Sequence, residues 1–575
     1  MAAPEEQEQH GTAAEKPGRA PDDAPTSPSR PKNLGEDQQS PQARGSPDLG
    51  SAGVGSTDRR HDSNTGRVLV TDRDPTPYSI FSGKEKGLIV LIVSAAGFFS
   101  SVSTNIYFPA LNSIAQEYRV SSTLVNLTIT VYLIFQGLAP SFTGSLSDSV
   151  GRRPVYAVCF AIYIAANVGL ALQRQFAALV VLRCLQSSGS SGTVALGNAV
   201  VSDLAGPDER GSYIGYVSLG GVVGLSLGST LGGVLAQFLG WRSIFWFLTI
   251  SAAAVVVLIA LFMPETARVV VGDGSLAPPR WDRSLWDLLP STKKRRRDTE
   301  PAAPGEEGGT QSPRGSAARR RQFVNPFMTL RICADKEAGV VLLVSGIVFA
   351  GYTALVGAIP SQFKARYGFN DLELGLCYLP IGVSAALSSL AVGRALDWNF
   401  ARHARLLGLS VEQVRQQQQA AGGGANNSGF AVERVRCEVA FPSLALFCAG
   451  TAVYGWLLSC RTSVAGPMVT LFVLGFGVNG CYTILSVLLI DVYPRAPATA
   501  TAANNLVRCW LGAGAAAAIV PMIDSMGPGW AFTLIALLDL LMAPLLWVVM
   551  RWGPKWRAER IVAEKASEAN SQEEK

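Results

Sequence analysis

The chain has 575 residues, 48% of them hydrophobic and only 16% charged, with a formal net charge of +6. A soluble chain of this length would divide into several cores, each with a charged surface; here the apolar residues are gathered into long runs, which excludes that class. The basic excess lies in clusters such as 293–297 and 319–321, with no base-reading motif and no folded basic face, so no nucleic-acid partner is expected.

Residues 1–86 are polar, rich in Pro, Ser, Gly and acids, and have no early apolar core. They read as a disordered cytosolic tail rather than a signal peptide. Beyond them, apolar runs of roughly 20 residues recur, each able to cross a hydrocarbon layer of about 30 Å. In chain order they are 88–110, 123–143, 154–173, 176–202, 212–238, 243–263, 338–360, 373–396, 440–460, 467–490, 500–523 and 530–552. Backbone amides in lipid must be paired internally, so each run is expected to be a helix. The first six form one bundle, 87–263, and the last six another, 338–553. A polar linker, 264–337, separates them; a second insertion, 397–438, holds QQQQ and GGG; residues 554–575 form a tail.

Loop charges set the orientation. Arg152 and Arg153, then Arg394, Arg402 and Arg405, then Arg551, Lys555, Arg557 and Arg560 fall on one side. The other side carries scattered cations, among them Arg119, Arg242 and Arg461. The excess of Lys and Arg places both termini in the cytosol. The plasma membrane is the expected location, with the vacuolar membrane as the alternative. The glycosylation sequon at Asn426 then faces the cytosol and is expected to be unmodified. The nine cysteines have neither disulfide nor metal spacing.

The halves echo each other. Gly144-x-x-x-Asp148 ends the second run and Gly393-x-x-x-Asp397 the eighth; Asp203 closes the fourth and Asp491 the tenth. Such repetition points to duplicated halves.

Several stretches carry a family resemblance. In GSLSDSVGRRP, Gly144, Leu146, Asp148, Gly151, Arg152 and Arg153 resemble the loop 2–3 motif of the major facilitator superfamily. Arg183 in LRCLQSSGSSG is similar to the family's fourth-span arginine motif. GLSLGSTLGG, 224–233, resembles its fifth-span antiporter motif, with Ser229 where the family has proline. GWRSIFWFL, PETAR (264–268), NPFMTLRI and DVYPRAPATATAANNLVRCWLGA are similar to the fungal twelve-span drug:proton antiporters, in particular the quinidine-resistance group. The resemblance covers about 78–553. It implies an all-α membrane protein with the major facilitator fold, twelve helices in two pseudo-symmetric halves. It also implies export of drugs, organic cations, polyamines or weak acids in exchange for protons, by a monomer with no cofactor.

No phosphate loop, nucleophile–base pair or metal-spaced cluster occurs, so neither an ATP-driven pump using that loop nor an enzyme is expected. Two other readings stay open: a facilitator or proton symporter for uptake, which Ser229 makes more credible, and a non-transporting receptor that uses the long tail for docking.

The charges suggest roles. Asp148 and Arg152 can form a gating latch, with Gly144, Gly151 and Arg153 shaping the loop; exposed, such a pair contributes about 0–1 kcal/mol, and more when desolvated. An arginine inside a span costs about 2.5–3.5 kcal/mol. Arg183 therefore needs a polar partner or cavity, unless it snorkels to the interface. Gln186 follows it one turn on. The resemblance implies proton coupling at Arg183; Gln186, Asp203, Asp491 and Arg508 join it as coupling candidates, and Asp539 lies mid-span in the twelfth run. Gly220, Gly224, Gly228 and Gly232 share one helix face and Gly233 flanks it; the small-residue eighth span (Gly382, Ser384, Ala385, Ser388) is the expected neighbour. Asn105, Tyr107, Asn126, Tyr132, Tyr352, Asn479 and Tyr482 are expected to line a substrate cavity near the midplane.

Overall fold

The computed structural model describes residues 79–205, 207–272, 274, 276, 278–279, 282–285, 327–414, 431–493 and 497–573. The sequon at Asn426, the basic clusters and the N-terminal tail up to residue 78 lie outside them. Every regular element among the described residues is helical.

The first half contains α1 (Gly83–Asn105), α2 (Leu111–Tyr118), α3 (Ser122–Val150), α4 (Arg152–Leu172), α5 (Phe176–Leu204), α6 (Pro207–Leu239), α7 (Arg242–Phe262) and α8 (Arg268–Val271). The second contains α9 (Phe327–Cys333), α10 (Lys336–Tyr367), α11 (Asp371–Leu376), α12 (Leu379–Leu406), α13 (Val432–Ser459), α14 (Ala465–Val492), α15 (Pro497–Leu540) and α16 (Met542–Glu573).

Local chemistry sets the boundaries. Ser82 and Glu85 form a capping box that starts α1 at Gly83, five residues before the apolar run begins. α1 then stops at Asn105, and the short α2 occupies what reads as loop. Asp335 accepts from the Glu337 and Ala338 amides to start α10, and Gly368, at φ 70°, ends it. Gly527, at φ 78° and followed by Pro528, breaks α15 where the eleventh and twelfth runs meet. α12 extends to Leu406 and α13 begins at Val432, so both flanks of the second insertion are helical. α16 carries the C-terminal tail as helix to Glu573.

Nine helical stretches among the described residues are long and apolar enough to cross a membrane. One of them, Thr499–Ala563, contains the Gly527 break. Large apolar side chains such as Leu91, Phe142, Phe238, Ile250 and Val469 are exposed on the outside, as a lipid-facing surface requires.

Within the first half, α1 packs on α6, α3 and α4 on α5, and α4 on α7; within the second, α10 packs on α15, α12 and α13 on α14, and α13 on α15. The halves meet through α3 against α15 and through α6 against α11 and α12. These joints run from the end opposite Asp148 to the middle. Asn112 donates to Pro360 O (2.8 Å) and Ser113 to Asp371 (2.5 Å). Deeper in, Asn126 donates to Ala516 O, Thr130 to Ala513 O, and Asn505 to Gln136 O (2.9 Å).

The glycine stripe of α6 faces α1, not the eighth span. A Cβ at Gly220 would lie 2.7 Å from Ser94 O, at Gly224 2.8 Å from Phe98 O, and at Gly228 3.1 Å from Val102 Cα; at Gly232 it would overlap Ile106 O. The helix face was readable from spacing, whereas the neighbour depended on the arrangement of the bundle. Only Gly233 turns to the second half, where a Cβ would meet Asp371 O at 2.6 Å and Gly375 Cα at 2.9 Å. Ser229 donates to Asn105 O (3.2 Å) and so ties α6 to the end of α1.

Candidate functional site

Two layers of charge stand out. The first lies where α3 turns into α4. Gly151 adopts φ 123°, and a Cβ there would sit 2.7 Å from the Glu265 carboxylate. The turn therefore needs glycine on both counts. It puts Arg152 at the start of α4, where its Nη1 reaches Asp148 (2.5 Å) and Ser147 (2.6 Å) and its Nε reaches Asp203 (2.8 Å).

Asp148 has a side chain 45% exposed, against 11% for Asp203. The desolvated pair, Arg152–Asp203, is thus the stronger one. Asp203, a coupling candidate in the sequence, stands in the structure as a partner of the loop motif. Gly144 has open space around it; its carbonyl accepts from Ser147.

The sequence did not single out Glu265. It is fully buried, and its carboxylate accepts from the backbone N–H groups of Arg152 (2.9 Å), Arg153 (3.1 Å), Thr266 (2.9 Å) and Ala267 (2.8 Å). It thus caps the positive N-terminus of α4. Arg153 bonds Asp282 (3.1 Å) and Ala260 O (2.7 Å), which pins the start of the linker to this layer. Burial, then the Glu265 carboxylate beside it, push Asp282 up to about 7 against the pull of Arg153.

The second half repeats the device with other residues. Arg436, near the start of α13, bonds Asp491 at the end of α14 at 3.0 Å. Arg557 reaches Glu433 (2.7 Å) and Glu337 (3.7 Å); Arg560 reaches Asp335 (3.4 Å), Glu337 (3.7 Å) and Val492 O (2.9 Å). Asp397, the sequence echo of Asp148, is exposed and makes no hydrogen bond or ion pair with a described residue.

The other charge layer lies in the middle of the bundle. Arg183 is 1% exposed, so it does not snorkel. Its guanidinium sits 4.1 Å from the ring centroids of both Tyr107 and Tyr132. Nη1 donates to Gln186 (2.6 Å), and Gln186 in turn to Asn167 (2.7 Å), while Nε has no partner among the described residues. Arg508, on α15, sits 4.6 Å from the Phe349 ring and 4.9 Å from that of Tyr482. Its Nη2 donates to Asn505 (2.7 Å), the Tyr482 and Cys509 side chains are also within its hydrogen-bonding reach, and its Nε has no partner among the described residues.

The expected cavity residues divide. Tyr107, Tyr132 and Tyr482 hold the arginines. Asn126 joins the two halves. Asn105 donates to Ser101 O (2.8 Å) on its own helix, and Asn479 to Ala385 O (2.9 Å) on α12. The Tyr352 ring packs against Phe349. Asp539 is 1% exposed, with neither carboxyl oxygen bonded. It faces α10 at Gly351, where a Cβ would lie 2.5 Å from its Oδ2. Among the described residues there is no group of three or more side chains placed to hold a metal.

Comparison with known proteins agrees with this arrangement. A family model described as Major Facilitator Superfamily matches residues 93–411. The MFS-type transporter phiD of Fungal sp. (strain ATCC 74256) is 45% identical over 495 residues, covering 86% of this chain and 72% of that protein. Citrate exporter 1 of Aspergillus niger is 36% identical over 485 residues, covering 84% and 89%. The E. coli xylose transporter XylE, in a partially occluded inward-open conformation, aligns with a TM-score of 0.55 at 13% identity, over 81% of this chain and 97% of that one, a likeness of fold alone. With its helices paired in two like halves and these relatives beside it, the chain belongs to the major facilitator superfamily of membrane transporters.

Proposed function

We propose that this transporter exports small organic compounds from the cytosol in exchange for protons, rocking two six-helix halves of a twelve-span bundle about the middle charge layer. The observation that carries this reading is the asymmetry of the contacts. Among the described residues, the hydrogen bonds between halves run from the end opposite Asp148 to the middle, whereas the ion pairs of Arg152, Arg436 and Arg557 each stay within one half and that of Arg153 reaches only the linker. Such a state is closed at the far end and free to part at the latch end. The loop cations support a cytosolic latch end, which makes this the state that loads cargo from the cytosol. A proton on a buried acid then biases the exchange between states. Asp539, buried without a partner, joins Asp203 and Asp491 as a candidate for that acid.

Inside-out vesicles holding the full chain provide the test. An acid interior should drive accumulation from a solute panel that includes organic acids, the class suggested by the citrate-exporting relative, and an uncoupler should abolish it. Entry that stops at equal concentrations and ignores the uncoupler would mean a facilitator. Accumulation driven by an acid exterior would mean a symporter.

A further inference from the structure

We propose that Arg183 and Arg508 form a two-part carboxylate site, so that the cargo is an organic anion rather than an organic cation or polyamine. This rests on the transporter reading and deepens it.

Charge balance is the first ground. Arg152, Arg153, Arg436, Arg557 and Arg560 each have an acid within 4 Å. Arg183 and Arg508 have no ion pair with a described carboxylate. An uncompensated guanidinium in a membrane interior is expensive and marks a functional site. Two of them inside one bundle favour a negative ligand and disfavour a positive one.

Geometry is the second ground. Both arginines are built alike. Each guanidinium lies against two aromatic rings, Tyr107 and Tyr132 for one, Phe349 and Tyr482 for the other. Each gives one terminal nitrogen to an amide oxygen a turn away on its own helix, Gln186 or Asn505. Each keeps a buried Nε without a partner. The rings fix the guanidinium plane, and the amide fixes its rotation. Besides the other terminal N–H groups, this leaves a free in-plane Nε–H, a donor that can pair with a planar carboxylate.

The two sites are also joined. Tyr132 OH lies 3.4 Å from Thr104 Oγ1, which accepts from Gln136 (3.4 Å). Gln136 O accepts from Asn505 (2.9 Å), the residue that holds Arg508. Tyr132 and Gln136 stand one turn apart on α3, about 6 Å along its axis. The Asn505–Gln136 bond crosses between the halves, so a carboxylate arriving at Arg508 acts directly on the joint that must open.

The experiment is counterflow in proteoliposomes of the full chain, using matched solutes: citrate, succinate and benzoate, their neutral amides, and tetraethylammonium and spermidine as cations. The expected result is exchange of a carboxylate at least tenfold faster than its amide, with no exchange of the cations. Arg183→Gln or Arg508→Gln should slow that exchange at least tenfold. Arg183→Lys and Arg508→Lys, which keep the charge and guard against a folding defect, should retain more exchange than the Gln variants, yet less than the native chain. Amides or cations exchanging as fast as carboxylates would overturn the anion site and leave the transporter reading intact. Exchange of none of these solutes, in a preparation that also moves nothing else under an imposed gradient, would overturn both.

Discussion

The arginines at the latch end and those in the middle of the bundle differ in one respect: the former have acids and the latter do not. Arg152 is enclosed by Asp148, Asp203 and Ser147. Arg183, more deeply buried, has rings and an amide but no carboxylate. A satisfied charge holds a structure together, and removing it leaves its partner stranded. An unsatisfied charge contributes little to stability and awaits a ligand. Substitutions in the two layers should therefore act on opposite observables.

The largest contrast is expected from Arg183→Leu against Arg152→Leu. The first should reduce carboxylate transport about 100-fold, near 3 kcal/mol of charge-assisted hydrogen bonding, with thermal stability unchanged or raised. The second strands Asp203 and should lower stability by about 3–5 kcal/mol in denaturant titrations. Equal loss of stability in both variants would erase the distinction. Arg436→Leu tests whether the second half uses the same device. Its partner, Asp491, has a side chain 30% exposed, so the loss should be smaller, about 1–3 kcal/mol in the same titration. Gly224→Ala pushes a methyl group toward Phe98 O and Ser101 and should cost about 1–3 kcal/mol through overpacking, seen as a lower melting temperature.

The smallest effect concerns Asp282. Docked, this carboxyl keeps a proton that a free one releases near pH 4, because burial and Glu265 raise it to about 7. Docking of the linker is then strongest in acid and weakens as pH climbs from about 4 to about 7. Hydrogen exchange over 264–285, corrected for intrinsic rates, should show protection falling across that range, and Asp282→Asn should remove the slope.

Much of the first half was legible. The spacing in GSLSDSVGRRP placed Asp148 and Arg152 at facing helix ends, and they do bond. Their more important partners were hidden by distance along the chain. Asp203 lies 51 residues from Arg152 and Glu265 lies 113 away. No periodicity within one span reveals such pairs. Glu265 did sit in the quoted PETAR stretch, but its role as a cap on α4 appears only when that stretch folds back. Of the two sequence echoes one held, since Asp203 and Asp491 each bond an arginine, and one misled: Asp397 copies the spacing of Asp148 yet stays exposed, while Arg436 pairs from a place neither echo marks. Arg183 and Arg508 were visible as costly charges, but their shared ring-and-amide setting required the packing of five helices and the turn after α1.

The notches that Gly220, Gly224, Gly228 and Gly232 cut into α6 have a mechanical consequence. Each receives a piece of α1 backbone, like teeth in a rack, so neither helix can slip lengthwise past the other without steric overlap. The pair behaves as a single stiff beam. Whatever motion carries cargo across must therefore tilt that beam whole, with the give confined to the chain segments at its ends.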